Sequence, residues 1–339
     1  MGERTHPLRM VAWELTRNCN LSCIHCRASA ASGPHEGELS TEECKAVIDD
    51  ILSFSEPTVI LTGGEPLMRP DIFEIIEYGN NRGLRMVIAV NGTLLDGTAA
   101  QRLKASGIKR VSLSIDGKDA GRHDSFRGVN GSFDAVIEAA RTLEQTSLPF
   151  QINTTVTTLN VNDLDETYAL VKSLGAVAWH VFLLVPVGRG TGLKGKELSA
   201  EAYEDVLHRL RAIERRDELE MKVTCAPHYY RIVKDDGEVP KSGGCLAGKS
   251  FMFISHRGVA QPCGYLEIDS GNVRKDGVRG VWEGSEVFRR LRDLASYRGK
   301  CASCRYIRIC GGCRARAHEE TGDYLQEEPL CSYREGSSG

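Results

Sequence analysis

Residues 58–91 read TVILTGGEPLMRPDIFEIIEYGNNRGLRMVIAVN. A β-branched, apolar run at 58–62 ends in a glycine pair, apolar residues then recur at helical spacing over 71–82, and a second apolar run occupies 86–91. Two such strands joined by a helix make a parallel βαβ unit with a right-handed crossover. The alternation continues on both sides. Strands are expected near 9–15, 110–115, 150–157 and 178–185, with helices near 40–54, 97–106, 132–146 and 162–174 and another after Ser199. Six strand–helix units fall short of the eight that close a barrel, so the expected fold class is α/β, a partial (β/α)6 TIM-like barrel open on one side. An open barrel admits a large substrate.

The composition excludes several functions. In 339 residues, 43 Lys and Arg stand against 46 Asp and Glu, a formal charge of −3 that offers no global field for nucleic acid or an anionic membrane. The longest apolar run, Val181 to Val187, contains Pro186 and is far below the roughly 18 residues of a spanning helix. The first residues, MGERTHPLRMVAWELTRN, lack the apolar stretch of a secretory signal, so a cytoplasmic, reducing location is expected. Twelve cysteines in such a chain point to metal.

Their positions divide them. Cys19, Cys23 and Cys26 form C-x3-C-x2-C just after the first expected strand, Cys44 stands alone, and Cys225, Cys245, Cys263, Cys301, Cys304, Cys310, Cys313 and Cys331 crowd the last third. Three plus twice four suits three iron–sulfur clusters, one of them lacking a protein ligand. Cys44 falls in the apolar repeat with Val47, Ile48, Ile51 and Leu52, after a capping box formed by Ser40 and Glu43, and is expected to be a small buried hydrophobe. A loop at the carboxyl end of a parallel strand is where active sites assemble. Three thiolates there hold three irons of a [4Fe–4S] cluster and leave the fourth open; zinc, with His25 as a fourth ligand, is the alternative. After about residue 218 the texture turns to glycine, cysteine and short strands, as in a domain held by metal more than by a broad apolar core. The expected division is therefore 1–218 for the barrel with its following helix, 219–335 for a cysteine-rich domain, and 336–339 for a flexible tail.

The cysteine triad, the Gly63-Gly64-Glu65-Pro66 turn and the strand–helix repeat together resemble the radical S-adenosylmethionine superfamily. The resemblance implies that Cys19, Cys23 and Cys26 hold the cluster and that Gly63, Gly64, Glu65 and Pro66 form the motif around the amino group of S-adenosylmethionine. It also places Asn91, Ser114, Asp116 and Arg127 in the cofactor pocket, with Ser114 and Arg127 as carboxylate partners. Reductive cleavage of the sulfonium yields a 5′-deoxyadenosyl radical that removes an unactivated hydrogen, which implies an anaerobic enzyme served by a low-potential donor such as ferredoxin or flavodoxin.

The C-terminal pattern, C-x12-G-x4-C from Cys245 to Cys263 and C-x2-C-x5-C-x2-C from Cys301 to Cys313, resembles the SPASM domain, an extension that carries auxiliary clusters. The second run has only Gly311 and Gly312 between its last two cysteines, where three residues are common. The interleaved ligand pattern of that family implies two auxiliary [4Fe–4S] clusters, one on Cys225, Cys245, Cys263 and Cys313 and one on Cys301, Cys304, Cys310 and Cys331. Cys225 is remote from the compact motifs, and a buried thiol is its alternative; a zinc ribbon is the alternative for Cys301 to Cys313.

Longer stretches, among them VAWELTRNCNLSCIHCRASA, HVFLLVPVGRG, TCAPHYYRI, FISHRGVAQPCGYLE and CGGCRARAHEETGDYLQEEPLCSY, resemble the haem b synthase family of the sirohaem-derived pathway. That resemblance implies decarboxylation of two propionates of Fe-coproporphyrin III to vinyl groups, with an auxiliary cluster taking the electron. A flat tetracarboxylate needs cationic and hydrogen-bonding groups around an apolar slot, and Arg189, His228, Tyr229, Tyr230 and Arg231 are the candidates. His180 and His228 are also candidate iron ligands, each with a structural alternative. Rival readings are a related tetrapyrrole enzyme, a didecarboxysirohaem deacetylase or one acting in haem d1 formation, and a peptide-modifying maturase. The short segment MGERTHPL before the first strand disfavours the latter. A non-catalytic iron–sulfur electron carrier would have no use for the glycine–glutamate turn.

Overall fold

The computed structural model describes residues 6–240 and 243–334; the expected tail at 336–339 lies outside them. The N-terminal elements are β1 (Met10–Thr16), α1 (Thr41–Leu52), β2 (Thr58–Gly63), α2 (Ile72–Asn81), β3 (Arg85–Ala89), α3 (Gly97–Ala105) and β4 (Val111–Ser114). Next come α4 (Ala120–Arg127), α5 (Ser132–Gln145), β5 (Phe150–Val156), α6 (Leu164–Ser173), β6 (Ala178–Leu183), α7 (Ala200–Glu214), β7 (Glu220–Thr224) and α8 (Tyr229–Asp235). The remainder holds β8 (Phe251–Ile254), β9 (Ala260–Gln261), α9 (Val273–Gly284), α10 (Glu286–Arg292), α11 (Lys300–Ser303) and α12 (Arg314–Thr321).

All six expected strands and their helices are present, in one sheet of order β7-β6-β5-β4-β3-β2-β1-β8-β9. Every pairing is parallel except β8 with β9. The period of two along β1 explains its place. Val11, Trp13 and Leu15 are buried in the main apolar core, while Glu14 and Thr16 on the other face are buried too. At the start of α1 the capping box forms as expected: Ser40 Oγ accepts from Glu43 N, and Glu43 Oε2 accepts from Ser40 N at 2.8 Å.

The sheet runs further than the alternation indicated. Strand β7 lies beyond residue 218 yet pairs with β6, Ala178 opposite Glu220, and β8 pairs with β1, Met10 opposite Phe251. Residues from the cysteine-rich part thus extend the barrel's own sheet at both edges, and an apolar group of Val185, Val187, Leu266 and Ala315 joins the end of β6 to that part.

Candidate functional site

The segment after β1 is held from three sides. Ser22 N and Ile24 N donate to the carbonyls of Arg127 and Phe126 at the end of α4, at 3.2 and 2.9 Å. From the turn after β6, Arg189 N donates to Cys26 O at 2.9 Å, and its guanidinium donates to Cys23 O at 2.8 Å and Ala30 O at 2.6 Å. From β2, Gly64 N donates to Thr16 O and Glu65 N to Asn18 O, at 2.7 and 2.8 Å. A Cβ on Gly64 would lie 2.4 Å from Asn18 O, so glycine is required for the two main chains to approach this closely.

This loop roofs a cavity of about 200 Å³ at the carboxyl ends of the strands. Its walls include Cys19, Cys23 and Cys26, the main chain at Gly63 and Gly64, and Asn91, Ser114, Arg127 and Arg189. Three other expected pocket residues, Glu65, Pro66 and Asp116, lie behind the wall, and Glu65 and Asp116 are fully buried. Glu65 accepts from Asn91 N at 2.6 Å and Leu67 N at 3.0 Å, tying the ends of β2 and β3. Burial pushes its carboxyl up to about 7 against those two bonds. Asp116 pairs with Arg127 at 2.5 Å and lies 3.6 Å from His25 Nε2. Burial opposes its charge, but Arg127 and the two nearby histidines outweigh burial and hold the carboxyl below its usual range. Burial lowers His25 to about 4, so at neutral pH it is uncharged.

The thiols fall into groups. Burial raises Cys19 to about 11, with the charges of Cys23 and Cys26 adding to it. Among the C-terminal thiols, burial raises Cys263 to about 12 and Cys313 to about 11, and in each case neighbouring thiols contribute. Cys225 feels Cys313, Cys263 and Cys245, and Cys310 feels Cys331 and Cys301. Cys304 N donates to Cys301 O at 3.4 Å, one turn from that second group. The expected ligand sets of Cys225, Cys245, Cys263 and Cys313 and of Cys301, Cys304, Cys310 and Cys331 are compatible with these neighbours. Cys225 also has φ +59, an uncommon conformation for a residue with a side chain, and its carbonyl accepts from Tyr203 Oη and Arg316 Nη2 at 3.0 and 3.1 Å. Among the described residues no three His, Cys, Asp or Glu side chains converge on one point where a single ion would sit. Thiolates at separate irons of a cluster stand further apart, and buried groups of mutually repelling thiols suit that cationic partner. Cys44 differs. Burial raises it to about 12, with no other thiol among the main causes, and among the described residues its sulfur meets Leu39 O and Arg69.

Four of the five candidate substrate contacts lie away from the cavity, because HYYR begins α8, which packs against α7. Tyr229 Oη donates to Glu214, and Arg231 pairs with Glu204. Tyr230 is buried, and His228 is 1% exposed with its ring 4.7 Å from that of Tyr203. His180 Nδ1 meets Gln151 Nε2 at 2.9 Å on the sheet, also away from the cavity wall. The reading of the sequence missed Arg27, Asn153, Thr155, Phe182 and Tyr265, which line the cavity. For Asn153, Thr155 and Phe182 the available signal was position at the end of a parallel strand. It also missed Glu14, which joins Arg27 at 2.9 Å, Arg17 at 3.0 Å and His256 at 2.7 Å beneath the loop.

A parallel α/β sheet with a three-cysteine loop at its carboxyl end and two further cysteine groups defines a radical S-adenosylmethionine enzyme with an iron–sulfur C-terminal domain. Residues 13–171 match the radical SAM superfamily, and residues 245–314 match SPASM, an iron–sulfur cluster-binding domain. The AdoMet-dependent heme synthase of Methanosarcina barkeri is 47% identical over 345 aligned residues, covering 98% of each chain. The Fe-coproporphyrin III synthase of the same organism is 30% identical over 95% of this chain and 87% of its own. In fold, Streptococcus suis SuiB bound to S-adenosylmethionine matches with a TM-score of 0.79 and 18% identity, over 97% of this chain and 78% of that one. The chain belongs to the radical SAM superfamily and, within it, to the family of the AdoMet-dependent heme synthases. Its cofactors are accordingly S-adenosylmethionine and iron–sulfur clusters in both parts of the chain. No helix among the described residues is long and apolar enough to cross a membrane.

Proposed function

We propose that this enzyme decarboxylates two propionate side chains of Fe-coproporphyrin III to vinyl groups, giving haem b. The observation that carries this reading is the 47% identity to an AdoMet-dependent heme synthase along 98% of both chains.

In this reading Cys19, Cys23 and Cys26 ligate the cluster that binds S-adenosylmethionine. Cys225, Cys245, Cys263 and Cys313 ligate one auxiliary cluster, and Cys301, Cys304, Cys310 and Cys331 the other. When bound, cluster and S-adenosylmethionine supply hydrogen-atom abstraction at an unactivated carbon. The protein's task is to position and enclose. The main chain of Gly63 and Gly64, with Asn91, Ser114 and Arg127, orients the cofactor's polar end. Glu65 and Asp116 act from behind, the first by joining strand ends and the second by fixing Arg127. Arg189 braces the cysteine loop from the cavity wall, which it shares with Arg27 and Arg127 as candidate partners of a substrate carboxylate. His228, Tyr229, Tyr230 and Arg231 build the junction of α7 and α8. The catalytic unit extends through β7, and a low-potential ferredoxin or flavodoxin delivers the electrons.

The test is anaerobic incubation with Fe-coproporphyrin III, S-adenosylmethionine and a reductant, followed by mass spectrometry. Harderohaem and haem b are the expected products, and the absence of both would overturn the reading. The similarity to an Fe-coproporphyrin III synthase favours a sister reaction on an earlier tetrapyrrole as the second reading, which product mass separates.

A further inference from the structure

Two arginines near the start of α12 lie between the two C-terminal thiol groups. Arg314 is 0% exposed and Arg316 is 3% exposed. Burying a guanidinium this fully is costly unless an anion compensates. Arg316 meets that need with Glu328, itself buried, whose two oxygens lie 3.1 and 3.3 Å from Nη1. Its Nη2 donates to the carbonyls of Leu184 and Cys225, at 3.0 and 3.1 Å. Glu328 in turn accepts from Cys313 N at 2.6 Å, while its own N–H points at Cys301 Sγ at 3.5 Å.

Arg314 pairs with no carboxylate within ion-pair distance among the described residues. Its guanidinium donates to the carbonyls of Gly312, Tyr324 and Gln326, lies over the Tyr297 ring at 4.8 Å, and directs Nη2 at Cys301 Sγ at 3.8 Å. Carbonyls and a ring face solvate a cation without neutralising it. A cluster with four thiolate ligands carries net negative charge, and its reduction potential responds to nearby charge and to N–H···S bonds.

We propose that Arg314 and Arg316 form a cationic partition between the two auxiliary clusters and hold both at higher reduction potentials than their ligands alone would set. Arg314 acts through the sulfur of Cys301. Arg316 acts beside Cys225 and Cys313, where Glu328 offsets part of its charge, so the two clusters are tuned unequally. These are positioning residues, and the inference rests on the ligand sets proposed above.

The experiment is anaerobic redox titration of the reconstituted enzyme, followed by electron paramagnetic resonance, with iron counted in every sample. R314Q and R316Q are expected to shift one auxiliary midpoint each to lower potential, R314K and R316K to stay near the wild type, and E328Q to shift upward. Wild-type protein holding only a single four-iron cluster would overturn the ligand sets themselves. Full iron with unmoved midpoints in both glutamine variants would overturn the partition alone. Iron lost from a glutamine variant but kept in the matching lysine variant supports the need for charge. Equal loss in both overturns it, because shape would then be the requirement.

Discussion

Replacing Glu14 with Gln removes the anion beneath the cysteine loop and leaves Arg17, Arg27 and His256 facing one another. Burial alone would raise the Glu14 carboxyl, yet His256, Arg27 and Arg17 outweigh it and hold it at about 2, against an ordinary value of 4.5. A carboxylate depressed in this way contributes stability that is fully present above its unfolded value and is lost as pH falls toward about 2. At about 1.4 kcal/mol per pH unit, the difference amounts to about 3 kcal/mol at pH 7. The side chain is 0% exposed, so solvent screening does not reduce that figure. It also falls at the lower end of the ~3–5 kcal/mol typical for breaking a buried pair. With a guanidinium m-value of roughly 6 kcal/mol/M for a chain of this size, the unfolding midpoint of E14Q drops by about 0.5 M. Trp13, adjacent in β1 and fully buried, contributes to the fluorescence signal, read anaerobically at pH 7 with equal iron in both samples. A midpoint lowered by less than about 0.1 M at unchanged m would refute the claim that Glu14 neutralises the Arg17 and Arg27 guanidiniums beside it.

Four further outcomes follow from named contacts. In G64A the new Cβ meets Asn18 O at 2.4 Å, so the variant is expected to lose S-adenosylmethionine binding by equilibrium dialysis along with the iron of the N-terminal cluster; full retention of both would contradict the close approach. C225A is expected to lose auxiliary iron while C44A keeps the wild-type count, and equal counts would return Cys225 to the buried thiols. Y229F removes a hydrogen bond to Glu214 and is expected to lose about 1 kcal/mol of stability while keeping KM for the porphyrin within about twofold; a tenfold rise in KM would put α8 on the substrate. Burial holds His180 neutral with a pKa of about 3. Its contribution is therefore complete above about 6.5 and declines as pH falls, and H180Q should reduce the slope of unfolding free energy against pH, between 6.5 and 5, by about one proton. An unchanged slope would show that His180 titrates normally.

Local patterns account for what was legible. Short apolar, β-branched or alternating runs mark strands, so β1 to β6 stood out from their own residues. In β7 the residues EMKVT are mostly polar and sit at the sheet edge, and in β8 four residues pair with a strand some 240 positions earlier. Neither carries a signal that reaches across such a distance. The compact cysteine motifs were legible because their members recur at close spacing, and Ser40 and Glu43 because a cap is built within four residues. Arg189 and the HYYR segment were read as substrate groups from their cationic and hydrogen-bonding side chains. The fold instead gives Arg189 to the carbonyls of the cysteine loop, on the cavity wall, and places HYYR in a packed helix.

By itself the sequence determined the class of sheet, the three-cysteine segment after its first strand and the family. All of these rest on residue type at short separation. Only the tertiary structure decided which polar groups face the cavity and which are used up behind it. Whether Glu65, Asp116, Arg314 or Arg316 meets a ligand, a backbone or another charge depends on chain brought together from distant positions, and burial makes each of those partners obligatory.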